Sequence, residues 1–398
     1  MKIFIIILFL LSSFQAFAQI DWVVYNTSNS GIPHNVVEDI TFDASGNIWV
    51  ATYGGVGKFD GANWTAYTTA NSILPSNVCY SIKADADTIW IGSVYGLIKF
   101  DGTNWTSYPY GYVVSMAFEE NGTKWFGGYQ TGLVKYDGST WTRYDASNSD
   151  LTDSTYYSIN IDSVNNKWFA TPEGVFKFDD IDWTQFTIGN SDIPGNIIVA
   201  LSIDANDTKW IGVAELGMGQ FDDVIWIGYD TLNSGLPSNY VNAEIAFDEN
   251  GDKWIGTSTK GLAFFDNTTW TTFNMTNSEL PSNAVEAVSV DNVGNKWIGT
   301  YGEGLAVYRE NGVILSNNDI AKSQPAIYVY PNPATNYSTV VTSFKGTYQL
   351  QDITGKVLLT GSVTATKFSL DISALSKGIY LLSLFDGEQQ VNRKVVKE

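Results

Sequence analysis

Tyrosine, glutamate and lysine recur in this chain four to six residues after a tryptophan: Tyr53, Tyr95, Tyr129, Glu173, Glu215, Lys260 and Tyr301. Side chains of these types on neighbouring loops suit recognition, because tyrosine rings stack on sugars or pack against peptide side chains while their hydroxyls hydrogen-bond. His34 is the only histidine, so a Ser-His-Asp type triad can be built around it alone. Asp39 and Glu244 stand where most repeats have Ser or Ala and form a candidate carboxylate pair for acid–base work. No residue is assigned a catalytic role on this pattern, and the alternative is a lyase or hydrolase built on His34 and those carboxylates. No metal or other cofactor is expected. Asp, Asn and Gly crowd turns such as 43–47, 248–252 and 291–295, but none has the ligand spacing of a calcium loop, and no His/Cys cluster exists for zinc.

These residues are positioned by a repeat. The fourteen tryptophans form two interleaved series of seven: Trp22, Trp64, Trp105, Trp141, Trp183, Trp226 and Trp270 open W-x-x-aromatic segments, and Trp49, Trp90, Trp125, Trp168, Trp210, Trp254 and Trp297 sit in KWIGT-type segments. Each period holds four short runs rich in β-branched and aromatic residues, here strands A to D, separated by Asx/Gly turns. Seven such units predict an all-β fold, a seven-bladed β-propeller over residues 19–315. After Tyr308 no W-T-x-aromatic strand follows, so Trp22-Val23-Val24-Tyr25 is expected to close the seventh blade; Val313-Ile314-Leu315 is the rival strand. An aspartate four residues before most first-series tryptophans fixes the C–D hairpin, and Asn-Ser-x-Leu/Ile-Pro recurs in the D–A loops as scaffold. In a propeller the D–A and B–C loops share one face at the mouth of the central channel, which puts His34 and the variable tyrosines together.

Residues 1–18 combine Lys2, an apolar run from Ile3 to Leu11 and Ala16-Phe17-Ala18, a secretory signal cleaved between Ala18 and Gln19. No run has the length of a membrane helix. Cys79 stands alone, so no intrachain disulfide forms, and it is expected to be a small buried hydrophobe. Residues 19–321 carry 13 Lys and Arg against 37 Asp and Glu, a balance of −24. Such a surface repels nucleic acid and favours neutral or cationic partners. Residues 316–325 form a polar linker, after which seven Val/Thr/Leu-rich runs over residues 326–398 predict a small Ig-like β-sandwich.

Two resemblances follow from motifs. Tyr330-Pro331-Asn332-Pro333-Ala334-Thr335-Asn336, Gly355-Lys356, Leu375-Ser376-Lys377-Gly378-Ile379-Tyr380 and Lys394-Val395-Val396-Lys397 resemble the type A C-terminal sorting domain of the Bacteroidota type IX secretion system. That resemblance implies a partner in the type IX machinery, passage through the outer membrane, and domain removal with release or attachment to surface lipopolysaccharide. The repeats, with Asn-Ser-x-Leu-Pro and D-x-x-G-N-x-W-I-G-T-x-x-G-G-L, are similar to the two-component regulator propeller repeat. No kinase accompanies them. That resemblance implies a secreted or cell-surface ligand-binding module; the acidic charge and the tyrosines at the mouth favour a neutral glycan or peptide as ligand, and a purely structural surface protein is the further alternative.

Overall fold

The computed structural model describes residues 21–129, 132–151, 155–310, 312–315, 327–330, 332–342, 345–364, 367–385 and 390–398. The signal segment, its Ala18–Gln19 junction and the 316–325 linker lie outside the described residues. Two compact units divide at Ile314 and Leu315.

The first unit is all β. Among the described residues it holds seven four-stranded antiparallel sheets, each in chain order A-B-C-D except the last. That sheet combines Val285–Val290, Lys296–Thr300 and Leu305–Tyr308 with Trp22–Tyr25 as its outermost strand. The register Trp22↔Tyr308 repeats Trp64↔Phe59 and Trp270↔Phe265 in other blades, so the leading strand occupies a D position in full register. Gly304 shows how tight this junction is. Its φ is +96°, and a Cβ there would meet the Tyr25 carbonyl at 2.1 Å, so only glycine fits at the start of this C strand. The rival strand at 313–315 does not pair; instead the Ile314 backbone is held by both ends of the Asn295 amide.

The tryptophan code has a physical basis in two layers of packing. Each D-strand indole lies against the C-strand aromatic paired with it, at centroid separations from 4.3 Å for Phe100–Trp105 to 5.1 Å for Phe59–Trp64. Each B-strand indole is buried between blades, and most stack on the aromatic ending the D strand, as Trp49 does on Tyr67 at 5.7 Å. Burying an indole also requires a partner for its N–H. Six of the seven find it in the carboxylate six residues earlier: Asp43, Glu119, Asp162, Asp204, Asp248 and Asp291 accept from Nε1. Five of these, all but Glu119, also close the A–B turn by accepting a backbone N–H, for example Asn47 N to Asp43 Oδ1 at 2.8 Å. The exception is Trp90: a two-residue turn places Ala84 at that offset, and Nε1 has no partner among the described residues.

The loops on the two faces differ in the same economical way. On the C–D side Asp60 and its counterparts each accept two backbone N–H groups, which holds their carboxyls below the ordinary range. In the D–A loops Asn29, Asn71, Asn148, Asn190, Asn233 and Asn277 each clamp the chain, accepting one backbone N–H and donating to a carbonyl five residues back. The following Leu or Ile is buried in each case. These loops are rigid frame.

The second unit contains two sheets, one of Ile327–Tyr330, Tyr337–Thr342 and Lys367–Asp371, the other of Gly346–Asp352, Val357–Val363, Gly378–Phe385 and Gln390–Lys397. Val340, Leu350, Leu370, Leu382 and Val395 from both sheets form one core. The motif residues act as ties: the Asn332 side chain bonds Lys394 O and Val396 N, and Ala334 exchanges backbone bonds with the final strand.

Candidate functional site

The channel mouth of the propeller opens into a cavity of about 860 Å³. Its frame is a β-bulge at the head of the inner strands. The A–B register skips one residue between Val37 and Asp39, Cys79 and Ser81, Val113 and Ser115, Ile198 and Ala200, and Val285 and Ala287. A bulge frees one residue from the ladder and re-aims its side chain. Here it turns Glu38, Tyr80, Val114, Val199 and Glu286 into the cavity wall.

Tyrosines dominate one side of that wall. Tyr301, Tyr53, Tyr80, Tyr112, Tyr129 and Tyr157 make a continuous arc across blades 7, 1, 2, 3 and 4, with successive centroids 6.4, 5.6, 4.8, 4.9 and 5.4 Å apart. Glu38 and Tyr80 are electrostatic neighbours of both the Tyr53 and the Tyr112 hydroxyls. Burial raises the Tyr53 and Tyr112 hydroxyls far above the ordinary phenol value, so these groups act as neutral donors and acceptors and not as phenolate bases.

Four carboxylates line the same cavity. Burial and the neighbouring charge of Glu286 raise Glu38 to about 7. Burial and the charge of Glu244 do the same for Asp39, whose oxygens accept the Ile40 and Ile82 amides at 2.7 and 2.8 Å. Glu244, also raised by burial, reaches Ser158 Oγ at 2.7 Å. The two carboxylates proposed as a pair thus share the channel, but they are not equivalent in the repeat. Ala243 packs on Gly256 as Ala200 packs on Gly212, so Glu244 is an extra residue in the sixth inner strand, whose paired part shrinks to Ala246–Phe247. Lys83, from the second inner strand, is the cation that tempers Asp39 and Glu244.

The residues singled out in the sequence divide by one step of loop geometry. Tyr53, Tyr129 and Tyr301, first in their B–C turns, line the cavity. Tyr95, Glu173, Glu215 and Lys260 come one or two places later and lie outside it; Tyr95 is 72% exposed. His34 flanks Tyr53 at 6.1 Å, outside the lining. Its Nδ1 accepts the Val36 amide at 2.9 Å, which occupies the nitrogen that a base would need and leaves Nε2 to carry the proton. Glu38, Glu286, Tyr80, Tyr112 and Tyr157 were not singled out. Their signal was a position that changes character from blade to blade beside an invariably buried Val, Cys, Tyr or Ile. Among the described residues no group of His, Cys, Asp and Glu is arranged to hold a metal ion, and no helix is long and apolar enough to cross a membrane.

Comparison with known proteins extends the picture. Residues 328–398 match the secretion system C-terminal sorting domain, and residues 31–54 match the two component regulator propeller. The tail is therefore a type IX sorting domain, which directs export to the cell surface or beyond it. No curated protein matches the chain in sequence. Among solved structures, PorZ, a surface component of the type IX secretion system of Porphyromonas gingivalis, superposes with a TM-score of 0.63 at 19% identity, over 94% of this chain and 60% of its own. The extracellular domain of a hybrid two component system from B. thetaiotaomicron gives 0.62 at 17%, over 95% and 57%. A catalytically inactive His-to-Ala variant of virginiamycin B lyase from Staphylococcus aureus, solved with quinupristin, gives 0.59 at 14%, over 72% and 98%. The chain thus spans about 60% of the length of the first two. At these identities the likeness is one of β-propeller fold.

Proposed function

We propose that this exported propeller is a non-enzymatic binding module that recognises a peptide or a neutral glycan at the tyrosine-lined mouth. The observation that carries this reading is the unbroken six-tyrosine arc around an open cavity, because aromatic rings held rigidly in a concave site supply contact area at low entropic cost. The Asn clamps and bulges below the arc fix where each ring stands. After signal removal the chain would be delivered by the type IX machinery and either released or attached to surface lipopolysaccharide.

A lyase reading draws on the fold shared with virginiamycin B lyase, but His34 is turned to its own backbone, and burial raises the Tyr53, Tyr112 and Tyr129 hydroxyls away from a phenolate base. The test compares wild type with the Y53A/Y129A/Y301A variant on glycan and peptide arrays. Binding by the former and at least a ten-fold loss in the latter, with an unchanged melting profile, is the expected result; equal binding would remove the mouth as the site. Replacing His34 by Ala leaves that binding within about two-fold, and neither protein depolymerises the bound glycan.

A further inference from the structure

The mouth has a sign of charge as well as a shape. Glu38 and Glu286 occupy the same bulge position on adjacent blades, beside Tyr53 and Tyr301, and both line the cavity. Among the described residues neither takes part in an ion pair. Lys83, in the same cavity, acts by its charge on Asp39 and Glu244. Two neighbouring carboxylates in a partly dehydrated wall repel each other, and a cation brought by a ligand relieves that repulsion.

The rings also discriminate. Neighbours along the arc meet at interplanar angles of 85°, 65°, 49°, 57° and 73°. Edges cover adjoining faces, so the arc offers no continuous flat plate of the kind a run of sugar rings stacks on. It offers a curved palisade along which an alkyl chain can lie, with π-faces available to a cationic head.

We propose that the occupant is a peptide presenting a lysine or arginine side chain, whose stem packs along the tyrosines and whose head group is received between Glu38 and Glu286. This rests on the mouth being the binding site and adds which ligand enters it. The acidic body of the propeller would steer such a peptide toward the opening, and added salt would slow its arrival.

The experiment uses the mature chain on a peptide array in which every Lys or Arg sequence is paired with its acetyl-lysine or citrulline counterpart, alongside a neutral glycan array. Wild type is expected to bind unmodified peptides at least ten-fold better than their neutralised partners. In E38Q/E286Q, a nearly isosteric change, that preference should vanish. Equal binding of both forms, or binding to neutral glycans alone, overturns the inference; if Y53A/Y129A/Y301A abolishes such binding, the mouth itself still stands. Binding to neither array, or binding untouched by the tyrosine changes, overturns both.

Discussion

In five of the seven A–B turns a single carboxylate does two jobs, closing the hairpin and accepting the indole N–H of the tryptophan six residues on. The turn role was legible in the sequence, since Asp and Asn bond their own backbone two residues on. The indole role was not, because it depends on a strand reversal that only the fold supplies. Truncating the carboxylate leaves a buried donor unpaired, so Asp162→Ala is expected to lower unfolding free energy by about 1–3 kcal/mol in a urea titration. Trp90, whose N–H is already unpaired, gives the internal control: Trp90→Phe should cost clearly less than Trp168→Phe. Titration offers a second test at this scale. The folded chain keeps protons on Glu38 and Asp39 up to about pH 7, whereas the ordinary values are 4.5 and 3.8. Between roughly pH 4 and 7 the native state therefore binds more protons than the unfolded one, and stability falls as pH rises through that window. Glu38→Gln should raise the melting temperature at pH 8 by a few degrees and change it little at pH 4.

At the scale of elements, the strand Trp22–Tyr25 is the one whose loss matters most, because it joins the first residues of the ring to the last blade. Trp22 packs on Tyr308 at 4.6 Å and Phe273 at 6.0 Å. Trp22→Ala is expected to cost about 3–5 kcal/mol, measured as a shift in the denaturation midpoint, and more than Trp64→Ala, whose indole is less buried. The strands themselves were readable, since seven tryptophan pairs and recurrent Asx/Gly turns leave little choice of period. Irregular elements were not. The sixth inner strand carries an extra residue at Glu244 that a pattern of Ser and Ala positions conceals, and the bulges that aim Glu38, Tyr80 and Glu286 are visible only in the pairing register. Tyr157 was hidden for a similar reason: next to Tyr156, just before the inner strand Ser158–Ile161, it resembles core, yet Tyr156 is buried and Tyr157 lines the channel.

For the whole molecule, the charge of −24 over residues 19–321 gains a location, with four carboxylates and one lysine in the cavity that the tyrosines border. In the proposed binding function the ligand sits at one end of the ring, where the tyrosines and carboxylates line the same cavity. Hydrogen exchange with a ligand selected on the arrays, read by mass spectrometry, tests that directly. The account predicts slowed exchange at the mouth, in segments 33–38, 76–80, 110–114 and 301–304, with the hairpins at 43–47 and 60–63 unchanged. Protection confined to those hairpins, on the opposite face, would contradict it.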